Sequence, residues 1–156
     1  MAKIRVPLNE LPEYVRNVRA AIKLLPSQSR ATVVALRGEL GAGKTTFVQA
    51  LAHDMGIAAS VLSPTYVLMK KYPIEGDRLP SGALRRFKTL VHIDAYRLER
   101  PEEFSTLQPQ EFLGDPSNLV VVEWPEKLGR LLPKPDITVT FSAQDANGAE
   151  RYIEIT

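Results

Sequence analysis

Residues 38–45 read Gly38-Glu39-Leu40-Gly41-Ala42-Gly43-Lys44-Thr45, which satisfies every constrained position of G-x-x-x-x-G-K-[ST]. This pattern restricts the fold because it works only between a strand and a helix, where a curled backbone aims several N–H groups at one anionic centre. Lys44 then reaches the outer phosphates of a nucleotide, the Thr45 hydroxyl is placed to ligate the magnesium that accompanies them, and the helix that follows adds the positive end of its dipole. The flanks agree. Ala31 to Leu36 is a β-rich apolar run, and Thr45 to Met55 carries Phe47, Val48, Leu51 and Met55 at helical spacing, with Gly56 as a C-cap.

The rest of the chain fits an α/β fold. Leu11, Tyr14, Val15, Val18, Ala21, Ile22 and Leu25 form one face of an amphipathic helix, with Asn9 as its N-cap and Pro12 in its first turn. Tyr66 to Tyr72 and Phe87 to Ile93 read as strands joined by a long, mobile, Pro- and Gly-punctuated hairpin loop. Pro101-Glu102-Glu103-Phe104 reads as a helix start, and Pro125 to Leu132 as a short helix. Leu119 to Val122 is continuously apolar, as in a strand covered on both faces. Ile137, Val139 and Phe141 alternate with polar residues, and Asn147-Gly148 before Tyr152 to Ile155 signals a closing hairpin. The expectation is a P-loop NTPase-like sheet with central parallel strands, antiparallel hairpins at its edges and helices on both faces. With 156 residues and no linker or repeat, it forms a single domain spanning 1–156.

Composition narrows the function classes. There is no cysteine, so thiolate metal sites, disulfide frameworks and cysteine nucleophiles are excluded. The first residues lack a signal-peptide core and no run reaches membrane-spanning length, so the expected location is the cytoplasm, with no membrane partner. A net charge of +2 falls short of a dedicated nucleic-acid binder, and the local clusters Lys70-Lys71 and Arg85-Arg86-Lys88 read as solvated surface.

Hydrolysis needs more than a phosphate loop. Two apolar strands end in acids, at Asp94 and at Glu123, and either fills the role of the carboxylate that holds magnesium directly or through water. Thr65, in Ser63-Pro64-Thr65-Tyr66, resembles a switch threonine that senses the γ-phosphate. His92 lies two residues before Asp94, so both side chains leave the same side of a strand and form a possible histidine–carboxylate pair. Trp124, the only tryptophan, either stacks on adenine or packs in the core. No Asn-Lys-x-Asp guanine-recognition element occurs, which favours ATP over GTP, and Asp145 to Gly148 matches a GTPase D-x-x-G by coincidence.

The phosphate loop, Ser63-Pro64-Thr65-Tyr66, His92-Ile93-Asp94-Ala95-Tyr96-Arg97-Leu98 and Val122-Glu123-Trp124-Pro125-Glu126 together resemble the TsaE (formerly YjeE) family in order and spacing, over roughly residues 5 to 155. The resemblance implies an ATPase, weak alone, that acts with a TsaB–TsaD pair in making threonylcarbamoyladenosine at position 37 of tRNA. It meets tRNA only through that complex. It implies nucleotide binding by Glu39, Leu40, Gly41, Ala42, Gly43, Lys44, Thr45 and Thr46, with Trp124 and Arg151 close by. It also implies magnesium on Thr45 and Glu123, and catalytic parts for Lys44, Asp94 and Thr65. Residues 73–86 make the hairpin longer than is usual in the family and carry Arg78, Arg85 and Arg86, an added surface for a partner or tRNA. Two other functions fit a phosphate loop. One is a small-molecule kinase with Arg85 and Arg86 as its lid, and the other is a nucleotide-gated binding module in which hydrolysis is incidental.

Overall fold

A computed structural model describes residues 3–5, 10–62, 68–79, 82–143 and 151–156, with backbone alone at 3–5, 143 and 151–152. Seven strands form one sheet: β1 (Lys3–Arg5), β2 (Thr32–Arg37), β3 (Met69–Pro73), β4 (Thr89–Asp94), β5 (Asn118–Glu123), β6 (Ile137–Ala143) and β7 (Arg151–Ile155). Their order is β1-β7-β6-β2-β5-β4-β3. β6, β2, β5 and β4 run parallel at the centre. The β3–β4, β6–β7 and β1–β7 pairs are antiparallel at the edges. The expected α/β sheet is therefore the observed one.

Strand alternation divides the core into two layers. Val34 and Leu36 of β2 and Leu119 and Val121 of β5 face α1 (Leu11–Leu24) and α2 (Lys44–Asp54), burying Tyr14, Val18, Ile22, Phe47 and Leu51. Val33, Val120 and Val122 face the other way, onto Phe104, Phe112 and Leu128. That second cover is made of short helical pieces. A 3-10 segment at Pro101–Leu107 is followed by α3 (Pro109–Leu113) and by 3-10 turns at Pro125–Lys127 and Gly129–Leu131. The break comes at Gln108, held left-handed (φ 54°) just before Pro109. A proline disfavours helical backbone in the residue before it, so one continuous helix cannot form here.

Several local expectations change. The N-cap of α1 is Glu10, without a side-chain capping bond, and Asn9 lies outside the described residues. The helix after the phosphate loop starts at Lys44 and has Met55 as its C-cap, with Gly56 one residue beyond. The hairpin connection between β3 and β4 is not the loose loop expected. Its described part contains 3-10 turns at Gly76–Arg78 and Gly82–Arg86 and buries Ile74, Leu79, Leu84 and Phe87 in the α1/α2 layer. Arg86 donates to the Leu25 carbonyl just past the end of α1 and to the Ile22 carbonyl, which also accepts the Leu25 N–H, so it reinforces the helix C-terminus. It is thus a structural cap, which removes it from a kinase lid. The Asn147-Gly148 turn falls outside the described residues, but the antiparallel β6 and β7 that flank it are present.

Candidate nucleotide site

The parallel strands all end at one edge, and the sequence brings its chemistry there. β2 leads into the loop at Gly38, where the backbone passes so close to β6 that an added Cβ would lie 2.8 Å from the Phe141 carbonyl oxygen. Gly43 caps α2 in left-handed backbone (φ 100°), a conformation that costs a side-chain-bearing residue energy. The helix then begins with Phe47 N–H donating to the Gly43 carbonyl at 2.9 Å. Leu40 at the loop apex is 71% exposed, and Glu39, Gly41 and Thr46 are exposed as well, while Ala42 is half-buried. The loop's outer surface is accordingly open to a ligand.

Lys44 is buried and turned back over its own loop. Its Nζ donates to the carbonyls of Gly38 and Glu39, the latter at 2.9 Å, and lies 4.1 Å from the centre of the Trp124 ring. Burial lowers its pKa below the usual lysine value, while Glu123, Glu126 and Asp94 pull it the other way. An anion arriving at this cation would act in the same direction as those carboxylates.

Thr45, on the first turn of α2, donates its hydroxyl to Glu123, 3.0 Å from Oε1 and 3.2 Å from Oε2. Glu123 ends β5 and Asp94 ends β4, and the parallel register sets these two residues side by side. Both carboxylates are buried. Asp94 Oδ1 accepts the Tyr96 N–H at 3.0 Å, so this acid braces the turn that leaves β4. The histidine's partner is not the one expected from spacing. His92 Nε2 meets Glu123 Oε1 at 2.9 Å, across to the neighbouring strand, instead of pairing with Asp94. Register decides this: His92 is opposite Val121, which makes Glu123 its diagonal neighbour on the same face. Sequence parity places 92 and 94 on one side of a strand, but it does not say which strand lies next door.

Trp124 breaks β5 with left-handed backbone (φ 60°) and is half-buried, its ring 5.2 Å from that of Tyr96. It packs against the second core layer on one side and meets the Lys44 ammonium on another. The Tyr96 contact escaped the sequence reading, although the Tyr96 position lies only two residues past Asp94. Arg151 begins β7 opposite Ala143, so its backbone stands at the loop edge of the sheet, and its side chain is outside the described set. Thr65 is also outside it.

Among the described residues no group of three or more His, Cys, Asp or Glu side chains could hold a metal ion. Thr45 and Glu123 offer hard oxygen donors for two positions only. That suits magnesium, which keeps several waters and takes the rest of its shell from substrate phosphates. No described helix is long and apolar enough to cross a membrane.

The crystal structure of YdiB from Bacillus superposes with a TM-score of 0.59, covering 97% of this chain and 82% of that one at 24% identity, which shows the shared fold. Several bacterial proteins named tRNA threonylcarbamoyladenosine biosynthesis protein TsaE align with the chain. The Haemophilus influenzae protein is 35% identical over 81% of this chain and 72% of its own length. The Treponema pallidum protein is 37% identical over 70% and 72%. The Rickettsia felis protein is 35% identical over 74% of this chain, a match that spans 60% of the relative. The family described as Threonylcarbamoyl adenosine biosynthesis protein TsaE matches residues 12–153. With nine-tenths of its length matched, the chain belongs to the TsaE family.

Proposed function

We propose that this chain binds and hydrolyses ATP as the nucleotide-driven component of the machinery that makes threonylcarbamoyladenosine at position 37 of tRNA, working with a TsaB–TsaD pair. The observation that carries the reading is the convergence of Lys44 Nζ, the Thr45 hydroxyl and the Glu123 carboxylate at the start of α2. In this reading the loop backbone from Glu39 to Thr46 cradles the phosphates, and Lys44 exchanges its loop carbonyls for phosphate oxygens. Thr45 and Glu123 would hold magnesium, which would supply neutralising charge to the bound phosphates. Asp94, fixed by its bond to Tyr96, orients the attacking water, and Thr65 reports on the γ-phosphate. Trp124 forms a wall beside the nucleotide and Arg151 approaches it from β7.

Phosphoryl transfer is mostly positioning and charge stabilisation, so a partner that completes the charge environment changes the rate strongly. Slow hydrolysis alone, accelerated by the TsaB–TsaD pair, is the expected behaviour of a domain that works as a single unit in the cytoplasm and reaches tRNA through the complex. The steady-state ATPase rate of the purified protein, with and without the pair and beside Lys44→Ala, is the test. Stimulation lost with the lysine supports the proposal, and no stimulation at a saturating concentration of the pair refutes it.

A further inference from the structure

We infer that His92 is the positioning residue of the nucleotide site: it holds the Glu123 carboxylate in the orientation in which Glu123 and Thr45 receive magnesium. The inference rests on the reading of the site given above. It starts from a histidine in an improbable place. His92 is 0% exposed and stands on β4 between apolar neighbours, Val91 and Ile93. Burying an imidazole there costs desolvation, and Nδ1 has no hydrogen-bond partner among the described residues. Valine or leucine would fill a parallel central strand without that cost. The compensation is local to Nε2, which sits 2.9 Å from Glu123 Oε1. A carboxylate accepts, so Nε2 carries the proton in this pair.

The geometry separates the two groups that hold Glu123. Thr45 donates one hydroxyl proton shared between Oε1 and Oε2. A hydroxyl that ligates a cation offers its lone pair to the ion, and its proton must turn away from that ion. The Thr45 bond is therefore the one that metal binding reorganises. The His92 bond lies on the strand side of the carboxylate and has no such conflict. It keeps Oε1 oriented in both states, while Oε2 has no bond to the imidazole and stays within 3.2 Å of the Thr45 hydroxyl. Partners that act on ligands from outside the metal's own shell typically change affinity by about 10- to 100-fold.

The test uses the full chain with three substitutions and a non-hydrolysable ATP analogue carrying an imido bridge between its outer phosphates. His92→Gln carries an amide nitrogen at about the reach of Nε2, His92→Asn carries one that stops short, and His92→Leu removes the donor. Calorimetric titration with the analogue, in EDTA and at stepped magnesium concentrations, separates metal-dependent from metal-free affinity, with thermal melting in parallel. The expected result is wild-type metal-free affinity in all three variants. His92→Asn and His92→Leu then need about 10-fold more magnesium or greater, and His92→Gln returns close to wild type. If His92→Leu does not fold, the Asn–Gln difference decides. Equal magnesium dependence in Gln, Asn and wild type overturns the inference while leaving the site reading intact. A wild-type protein whose analogue binding ignores magnesium overturns the site reading, and the inference with it.

Discussion

The two ends of the parallel strands both gather charged and polar side chains, and they use them in opposite ways. At the end where the strands begin, Asp136 is enclosed by donors. Arg30 engages both of its carboxylate oxygens at 3.1 Å, Gln28 Nε2 adds a bond at 3.1 Å, and the Val33 N–H adds another at 2.8 Å. Three of these bonds converge on Oδ2 and one reaches Oδ1, and the cluster joins the entrance of β2 to that of β6. At the end where the strands finish, the partners are provisional. Lys44 rests on carbonyls and an aromatic face, and Glu123 on the Thr45 hydroxyl, with the His92 imidazole as the one partner that stays in place. A closed set of partners stabilises the fold, whereas an exchangeable set is what a ligand can displace.

The contrast is broken most severely by substituting the exchangeable cation. Lys44→Ala is expected to lower ATP hydrolysis by about 100-fold or more, as loss of a charge-stabilising donor does. The melting temperature should move little, because the lysine's own bonds are set against the cost of burying it. Hydrolysis assays beside thermal melts check both halves. Asp136→Ala should do the reverse. Leaving the Val33 N–H and the Arg30 guanidinium without their acceptor costs about 2 kcal/mol. Denaturant unfolding should read that loss while nucleotide affinity in the folded protein stays the same.

A smaller effect sharpens the division. Arg86→Ala uncaps α1 and should cost about 1 kcal/mol, with hydrolysis unchanged. Reduced hydrolysis without lost stability would return Arg86 to a functional role. The smallest effect lies away from both ends. Tyr14 is buried in the α1 layer with its hydroxyl 3.5 Å from the Ile153 carbonyl, and burial, reinforced by Glu10 and Glu13, raises its pKa from 10.0 to about 12. The folded state thus keeps this proton longer than the unfolded chain does. The associated stability is full below pH 10 and disappears as the pH rises toward 12. Tyr14→Phe should remove that portion of the alkaline decline, and melts of both proteins from pH 8 to 12 would reveal the difference.

What the sequence disclosed follows the same division between local and long-range information. The phosphate loop is contiguous, so its strand–loop–helix context could be read directly, and the unbroken apolar run of β5 pointed to a doubly covered central strand. Asp94 and Glu123 were recognisable as strand-end acids. The meeting of Glu123 with Thr45 came only from the family resemblance, which set both on one magnesium, because no residue spacing reveals a contact between positions 78 apart in the chain. The His92–Glu123 pair likewise depends on which strands are neighbours and on their register. The 73–86 connection misled for another reason. Its Gly, Pro and charged residues signal a loop, while Leu79 and Leu84, five apart and fitting neither helix nor strand, anchor two 3-10 turns.

The close passage of Gly38 beneath Phe141 has a consequence for how chains of this kind can change length. The Phe141 ring also meets Phe47 of α2 at 5.6 Å, edge to face, so one residue of β6 gauges the height of both the loop and its helix. Adding or deleting a single residue between Ile137 and Phe141 would send that ring to the opposite face of the sheet. The loop would lose its floor although none of its own residues had changed. Insertions and deletions in the C-terminal third are therefore constrained by a phosphate loop lying about a hundred positions earlier, an indel constraint that a search confined to the motif would never detect.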